Sequence, residues 1–76
     1  MIIDELKKII SEQYKIPESA INEDTHLFND LKFDSLDSVE LIITIEEKYD
    51  LELLDADAEN VTTIADLIEL INKKKA

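Results

Sequence analysis

An all-α fold is what this sequence predicts, and three observations predict it. The 76-residue chain contains no glycine and one proline, Pro17, so the residues that interrupt helices are almost missing. Its apolar residues, 45% of the chain, are mostly Ile, Leu, Val and Ala, and they recur at helical spacing. Thr and Asp residues stand where those periodic stretches begin, as helix starts require. One domain, 1–76, is expected, because the length leaves no room for a second.

The first helix is expected over residues 2 to 14, with Ile2, Ile3, Leu6, Ile9, Ile10 and Tyr14 on one face and Asp4, Glu5, Lys7, Lys8, Ser11 and Glu12 on the other. Lys15-Ile16-Pro17 ends it, since proline disfavours helix at the residue before it. A long loop then runs to Asp34, anchored by Ile16, Ile21, Leu27, Phe28, Leu31 and Phe33, with one helical turn expected at Leu27 to Leu31. Loops of about 20 residues are uncommon in compact domains and usually functional. The second helix is expected from Ser35 to Tyr49, capped by Asp34 with Asp37 at its third position. Asp50 to Leu54 reads as a connector, and Asp55 as the cap of a short third helix over Ala56 to Asn60. Thr63 with Asp66 opens the fourth helix, whose stripe is Ile64, Leu67, Ile68 and Ile71 and whose end carries Lys73, Lys74 and Lys75.

Ser35 is the residue with the most to say about function. It lies in Leu31-Lys32-Phe33-Asp34-Ser35-Leu36-Asp37-Ser38-Val39-Glu40-Leu41, at the entrance of the second helix. The motif offers it carboxylates but no base placed to activate it, which suits a residue modified by another enzyme better than a nucleophile. At about 100° per residue, Ser38, Leu41, Ile42, Ile45 and Tyr49 share the core side of this helix, while Leu36, Val39 and Ile43 fall opposite. Asp37, Glu40, Thr44, Glu46 and Glu47 border that outer group. Aliphatics rimmed by carboxylates make a docking surface. Leu36 and Ile43 are expected at the surface, and Val39 beneath the loop or a neighbouring helix.

Composition excludes several classes. The net charge of −11 repels nucleic acid and anionic membranes and favours partners with a basic patch. Without cysteine there is no disulfide or thiolate metal site. No apolar run is long enough to span a bilayer, and Met1-Ile2-Ile3-Asp4-Glu5 is not a signal peptide, so a cytoplasmic, monomeric protein without stable membrane insertion is expected. The Asp55-x-Asp57-x-Glu59 pattern lacks the glycine of a calcium-binding EF-hand loop. No specific metal site is expected, only diffuse charge relief at Asp34-Asp37 or Glu46-Glu47-Asp50. The single histidine, His26, is read as an ordinary loop residue.

With these residues in place, the chain resembles acyl carrier proteins of the bacterial, free-standing type. Asp34 to Leu41 resembles that family's modification motif, Ile45 to Asp50 the end of its recognition helix, Asp55 to Glu59 its short acidic helix, and Val61-Thr62-Thr63-Ile64 the entry to its last helix. The resemblance implies a four-helix bundle, three main helices and one short, and a carrier rather than an enzyme. It implies that 4′-phosphopantetheine from coenzyme A is attached to Ser35 by a phosphopantetheinyl transferase. Acyl chains would then be carried as thioesters on that arm. It further implies docking to basic patches of fatty acid synthesis enzymes through Asp34, Leu36, Asp37, Glu40, Ile43, Glu46 and Glu47. The acyl chain would enter an interior lined by Leu41, Ile42, Ile45, Ile64, Leu67, Ile68 and Ile71, near Phe28 or Tyr49.

The chain departs from the family at Lys32, where glycine is frequent, and at Phe33, where a small residue is frequent. Either the loop turns differently here or Lys32 finds an allowed conformation; a positive φ would strain it by about 1 kcal/mol or more. The acidity and Val39-Glu40-Leu41 favour type II fatty acid synthesis over a polyketide, specialised lipid or aminoacyl carrier. An acidic helical adaptor without a prosthetic group is the reading from another class.

Overall fold

The computed structural model describes residues 1–75 and places four α-helices in the order α1 (Ile2–Tyr14), α2 (Ser35–Tyr49), α3 (Asp55–Glu59) and α4 (Ile64–Lys75). Among the described residues there is no β-strand, only an isolated bridge between His26 and Thr63. The fold is the all-α, four-helix arrangement expected, three main helices and one short. The starts of α2, α3 and α4 have local causes. Asp37 N donates to Asp34 Oδ1 at 2.9 Å and Asp34 N to Asp37 Oδ2 at 3.1 Å, a reciprocal cap that starts α2 at Ser35. Thr63 and Asp66 form the same pair at α4, with Asp66 N on Thr63 Oγ1 at 3.2 Å and Thr63 N on Asp66 Oδ2 at 3.1 Å. The short helix α3 begins at Asp55 and not after it. Asp57, not Asp55, reaches back, accepting from Leu54 N at 3.1 Å.

With no glycine available, three other residues adopt the left-handed conformation: Lys15 at φ 58°, Lys32 at φ 60° and Asp50 at φ 53°. Lys15 terminates α1 and Asp50 terminates α2, the positions where glycine is most often found. A left-handed residue with a Cβ costs about 1–2 kcal/mol, so packing must hold these three turns.

The long loop, residues 15–34, supplies much of that packing. Glu18–Ala20 forms one 3₁₀ turn that the sequence did not announce. Ile21, Leu27 and Phe33 are buried in the same core as Leu6 and Ile10 of α1, Leu41 and Ile45 of α2, and Ile64, Leu67, Leu70 and Ile71 of α4. Leu27 to Leu31 is a hydrogen-bonded turn and not a helix, closed by Asp30 N and Leu31 N on His26 O at 2.9 and 3.1 Å. The loop also satisfies backbone groups around the start of α4. Ile64 N donates to Thr25 O at 3.1 Å, Ala65 N to Glu23 O at 2.9 Å, and Leu27 N to Thr62 O at 2.9 Å. Ile64 and Ala65 are first-turn amides that helix geometry leaves unpaired. The Cα radius of gyration, 11.2 Å, is about that of a compact chain of this length, so the loop lies against the bundle.

Candidate functional site

Ser35 is the first residue of α2 and is exposed. Among the described residues no hydrogen bond engages its hydroxyl, while the carboxylates on either side, Asp34 and Asp37, are turned onto each other's amides. His26 supplies no base: its Nδ1 accepts from the amides of Phe28 and Asn29 at 3.2 and 3.0 Å, which makes it a brace of the loop. Among the described residues no three His, Cys, Asp or Glu side chains gather as a metal site.

Two departures from the expected motif take a definite form. Lys32 keeps the left-handed turn at φ 60° despite its side chain. Phe33 is buried, packs its ring against Tyr14 with centroids 4.5 Å apart, and donates its amide to Leu27 O at 3.0 Å. A side chain of this size contributes roughly 1.5–3 kcal/mol when fully buried, more than the cost of the left-handed turn one residue earlier. The bulky residue is therefore part of what holds the turn.

Below Ser35, α2 shows an apolar outer face. Leu36 is 65% exposed, Val39 54% and Ile43 48%. Val39 corrects the expectation of cover: more than half of its surface is open to solvent. Val39 and Ile43 border a groove of about 260 Å³ between α2 and α3, lined by Ser38, Val39, Ile42, Ile43 and Glu46 on one side and by Leu53, Leu54, Asp55 and Ala58 on the other. Ser38 and Val39 lie three and four residues beyond Ser35, so the groove opens on the face below it.

The interior residues named from the sequence divide. Ile42 lines the groove. Leu41, Ile45, Ile64, Leu67 and Ile71 form a closed core with 0–1% exposure, and Ile68 packs on its edge. Phe28 is 37% exposed and sits edge-on to His26, away from that core. Tyr49 lies at the far end of α2, where its hydroxyl donates to the Glu5 carboxylate. Burial, that hydrogen bond and the Glu5 charge push its phenol up, and Glu5 is held below the usual carboxylate range chiefly by the same bond.

Of the acidic residues named, Glu40 and Glu47 are exposed, while Glu46 is half-buried with Oε2 accepting from Leu53 N at 3.0 Å. That contact ties the connector to α2 and shapes one wall of the groove. Ala58 was missed as a site residue because 56–60 read only as a short helix, and Leu53 and Leu54 because 50–54 read only as a connector. The density of leucines between acidic residues there was the available signal.

The molecule therefore has a bare hydroxyl at a capped helix start, above an apolar groove rimmed by acids. Residues 4–71 match the family described as phosphopantetheine attachment site. The chain is 40% identical over 70 residues to the acyl carrier protein of Campylobacter lari, covering 92% of this chain and 91% of that one. The chain belongs to the acyl carrier protein family. The crystal structure of an acyl carrier protein from Thermotoga maritima superposes with a TM-score of 0.85 at 27% identity, covering 97% of this chain and 86% of that one. The chain is accordingly a carrier and not an enzyme, and the group such carriers bear is 4′-phosphopantetheine. The lack of a base beside Ser35 suits a carrier, whose chemistry is done by the enzymes it visits.

Proposed function

We propose that Ser35 is the residue that bears 4′-phosphopantetheine, and that the carrier moves growing acyl chains as thioesters in type II fatty acid biosynthesis. The observation that carries this reading is the Ser35 hydroxyl, exposed and unengaged at the first position of a fifteen-residue helix. A phosphodiester on that oxygen is an anion. The helix start favours it by about 0.3–1 kcal/mol at an exposed position, and the amide hydrogens of Ser35 and Leu36 face outward there. Asp34 and Asp37 repel it, but each carboxylate already accepts an amide hydrogen. The residues present fit the group. When bound, it supplies a thiol on a flexible arm. Ser35 Oγ would form the new bond to the pantetheine-bearing phosphorus of coenzyme A as the phosphoanhydride bond breaks and adenosine 3′,5′-bisphosphate leaves, and the Ser35 proton would go to a base on the modifying enzyme.

Partners follow from the surface. Leu36, Val39 and Ile43 offer hydrophobic contact, and Asp34, Asp37, Glu40, Glu46 and Glu47 offer negative charge to basic patches on the transferase and the fatty acid synthesis enzymes. Ile42 gives an acyl chain its way in through the groove, towards the core residues Leu41, Ile45, Ile64, Leu67 and Ile68. The reading takes the carrier as a cytoplasmic monomer with one domain over 1–76. No helix among the described residues is long and apolar enough to cross a membrane.

Intact mass spectrometry tests the reading. Incubation with coenzyme A and a phosphopantetheinyl transferase should add the mass of one arm, and Ser35→Ala should abolish the gain while leaving the melt unchanged. A gain that persists in Ser35→Ala overturns the assignment. Elongation of a loaded acyl group by the fatty acid enzymes of the same cell tests the pathway. A modified chain that those enzymes never elongate keeps the carrier and sinks the pathway.

A further inference from the structure

Helix α1 ends on Tyr14, and this one side chain contacts a residue on each side of Ser35. Its ring lies against Phe33, two residues before Ser35, with centroids 4.5 Å apart and planes at 43°. Its hydroxyl donates to the carbonyl oxygen of Asp37, two residues after Ser35, at 2.8 Å. The same hydroxyl accepts from Gln13 Nε2 at 3.0 Å, and Gln13 Oε1 accepts from the Thr44 hydroxyl at 2.9 Å, which continues the tie further along α2.

The capping box joins Asp34 to Asp37 but is local, and it leaves the start of α2 free to shift as a unit. Leu41, the first fully buried residue of the helix, is more than a turn beyond Ser35. On the other side stands Lys32 at φ 60°, a conformation that residues other than glycine leave when nothing holds them. Without an anchor, that turn would relax and carry Asp34 and Ser35 with it. Phe33 is the anchor, and Tyr14 is what Phe33 packs on.

We infer that Tyr14 is a positioning residue for Ser35: by clamping the Phe33 ring and the Asp37 carbonyl it fixes the Lys32 turn and the first turn of α2, and so presents the Ser35 hydroxyl in one direction to the enzyme that modifies it. The inference rests on Ser35 being the modified residue. Transfer to a hydroxyl is sensitive to placement, and a misplacement of about 1 Å can slow a reaction by roughly a hundredfold. Burial first, then the charges of Glu40 and Asp37, raises the Tyr14 phenol to about 12. The clamp therefore keeps its donor throughout the neutral range.

The test compares arm transfer to the wild-type chain, Tyr14→Phe, Tyr14→Leu, Lys32→Gly and the Tyr14→Leu/Lys32→Gly double variant, well below each melting midpoint, with kcat and KM measured separately. Tyr14→Phe keeps the ring and loses the hydrogen bond. Its kcat should fall about three- to tenfold, the effect of one hydrogen bond, with KM little changed because the docking surface is intact. Tyr14→Leu also removes the ring that Phe33 packs on, so its kcat should fall further; in the Lys32→Gly background the turn needs no ring to hold it, and the loss from Tyr14→Leu should be smaller than in the wild-type background. A Tyr14→Phe chain modified at the wild-type rate overturns the clamp, as does a Tyr14→Leu loss of equal size in both backgrounds. A wild-type chain that accepts no arm would instead overturn the assignment of Ser35.

Discussion

Helices α2 and α4 are alike at their starts and opposite in what they do with their side chains. Each opens on a reciprocal side-chain cap, Asp34 with Asp37 and Thr63 with Asp66. Of its apolar residues α4 then buries Ile64, Leu67, Leu70 and Ile71, whereas α2, though longer, fully buries only Leu41 and Ile45. Leu36, Val39 and Ile43 face water, among acids. The charges differ too: α4 ends on Lys73, Lys74 and Lys75, and Lys74 Nζ meets Asp57 of α3 at 3.0 Å, while α2 has Lys48 as its one cation. On the docking proposed above, α4 holds the fold and α2 is the helix that partners recognise, and the apolar residues given to recognition are lost to the core.

Substitution of core and outer aliphatics breaks or sharpens this contrast most strongly. Leu67→Ala, at 0% exposure, should cost about 2–5 kcal/mol. That is a large share of the roughly 4–11 kcal/mol a chain of this length can have. Ile43→Ala, on the outer face, should change stability by less than about 0.5 kcal/mol and should still slow enzymes that dock on α2. Denaturant melts decide between them. Equal losses at the two sites would show that Ile43 is core after all.

Charge reversal is the next largest effect. Glu47→Lys on α2 should slow association with a basic partner enzyme by roughly tenfold at low salt, fading as ionic strength rises. Glu69→Lys, an exposed acid on α4, should do far less. Stopped-flow association across a salt series measures both. A defect at Glu47 that salt leaves untouched would remove steering from the account.

How much of this contrast was legible in the sequence depends on whether the cause was local. The bounds of α1 and α2 were readable because Pro17, Asp34 and Asp37 act on their neighbours. Leu36 and Ile43 were readable as outward because helix phase is arithmetic. Val39 was not, since its exposure depends on how the rest of the chain packs around α2. The groove could not be told from the core because both are aliphatic, and only the fold shows that Ile42 lines the one while Leu41 and Ile45 close the other. The loop's pairing with the start of α4 joins segments far apart in the chain, and no residue pattern announces it. Lys32 left two possibilities open, and Phe33 against Tyr14 is what decided between them.

The caps themselves give a pH test of smaller size. Hydrogen bonds from the amides and hydroxyls of Thr62 and Thr63, the Thr62 amide foremost, outweigh desolvation and hold Asp66 below the usual carboxylate range. A depressed native value means that the unfolded chain binds the proton more readily. The stability Asp66 provides is therefore present above the ordinary range near pH 4 and lost as pH falls through its lower native value. Asp66→Ala should cost about 0.5–2 kcal/mol at neutral pH, with the difference from wild type shrinking in acid. A difference that stays constant down to the acid limb would mean that the carboxylate does not cap α4.

The smallest expected effect runs the other way. Asp50 ends α2 at φ 53°, a left-handed residue that also sets a negative charge at the negative end of the helix. Asp50→Gly removes both penalties, about 1–2 kcal/mol for the left-handed conformation and a few tenths for the charge. It adds the roughly 0.5–1 kcal/mol that glycine loses in backbone freedom. The net gain should be on the order of 1 kcal/mol. The cap amide still donates to Glu46 O, so the helix end keeps its geometry. Lys15→Gly at the end of α1 should gain less, because lysine there suits the helix dipole. Thermal melts in the same buffer rank the two. If Asp50→Gly gains nothing, the strain at the end of α2 is already relieved in some other way, and the lack of glycine has cost this chain less than its backbone angles indicate.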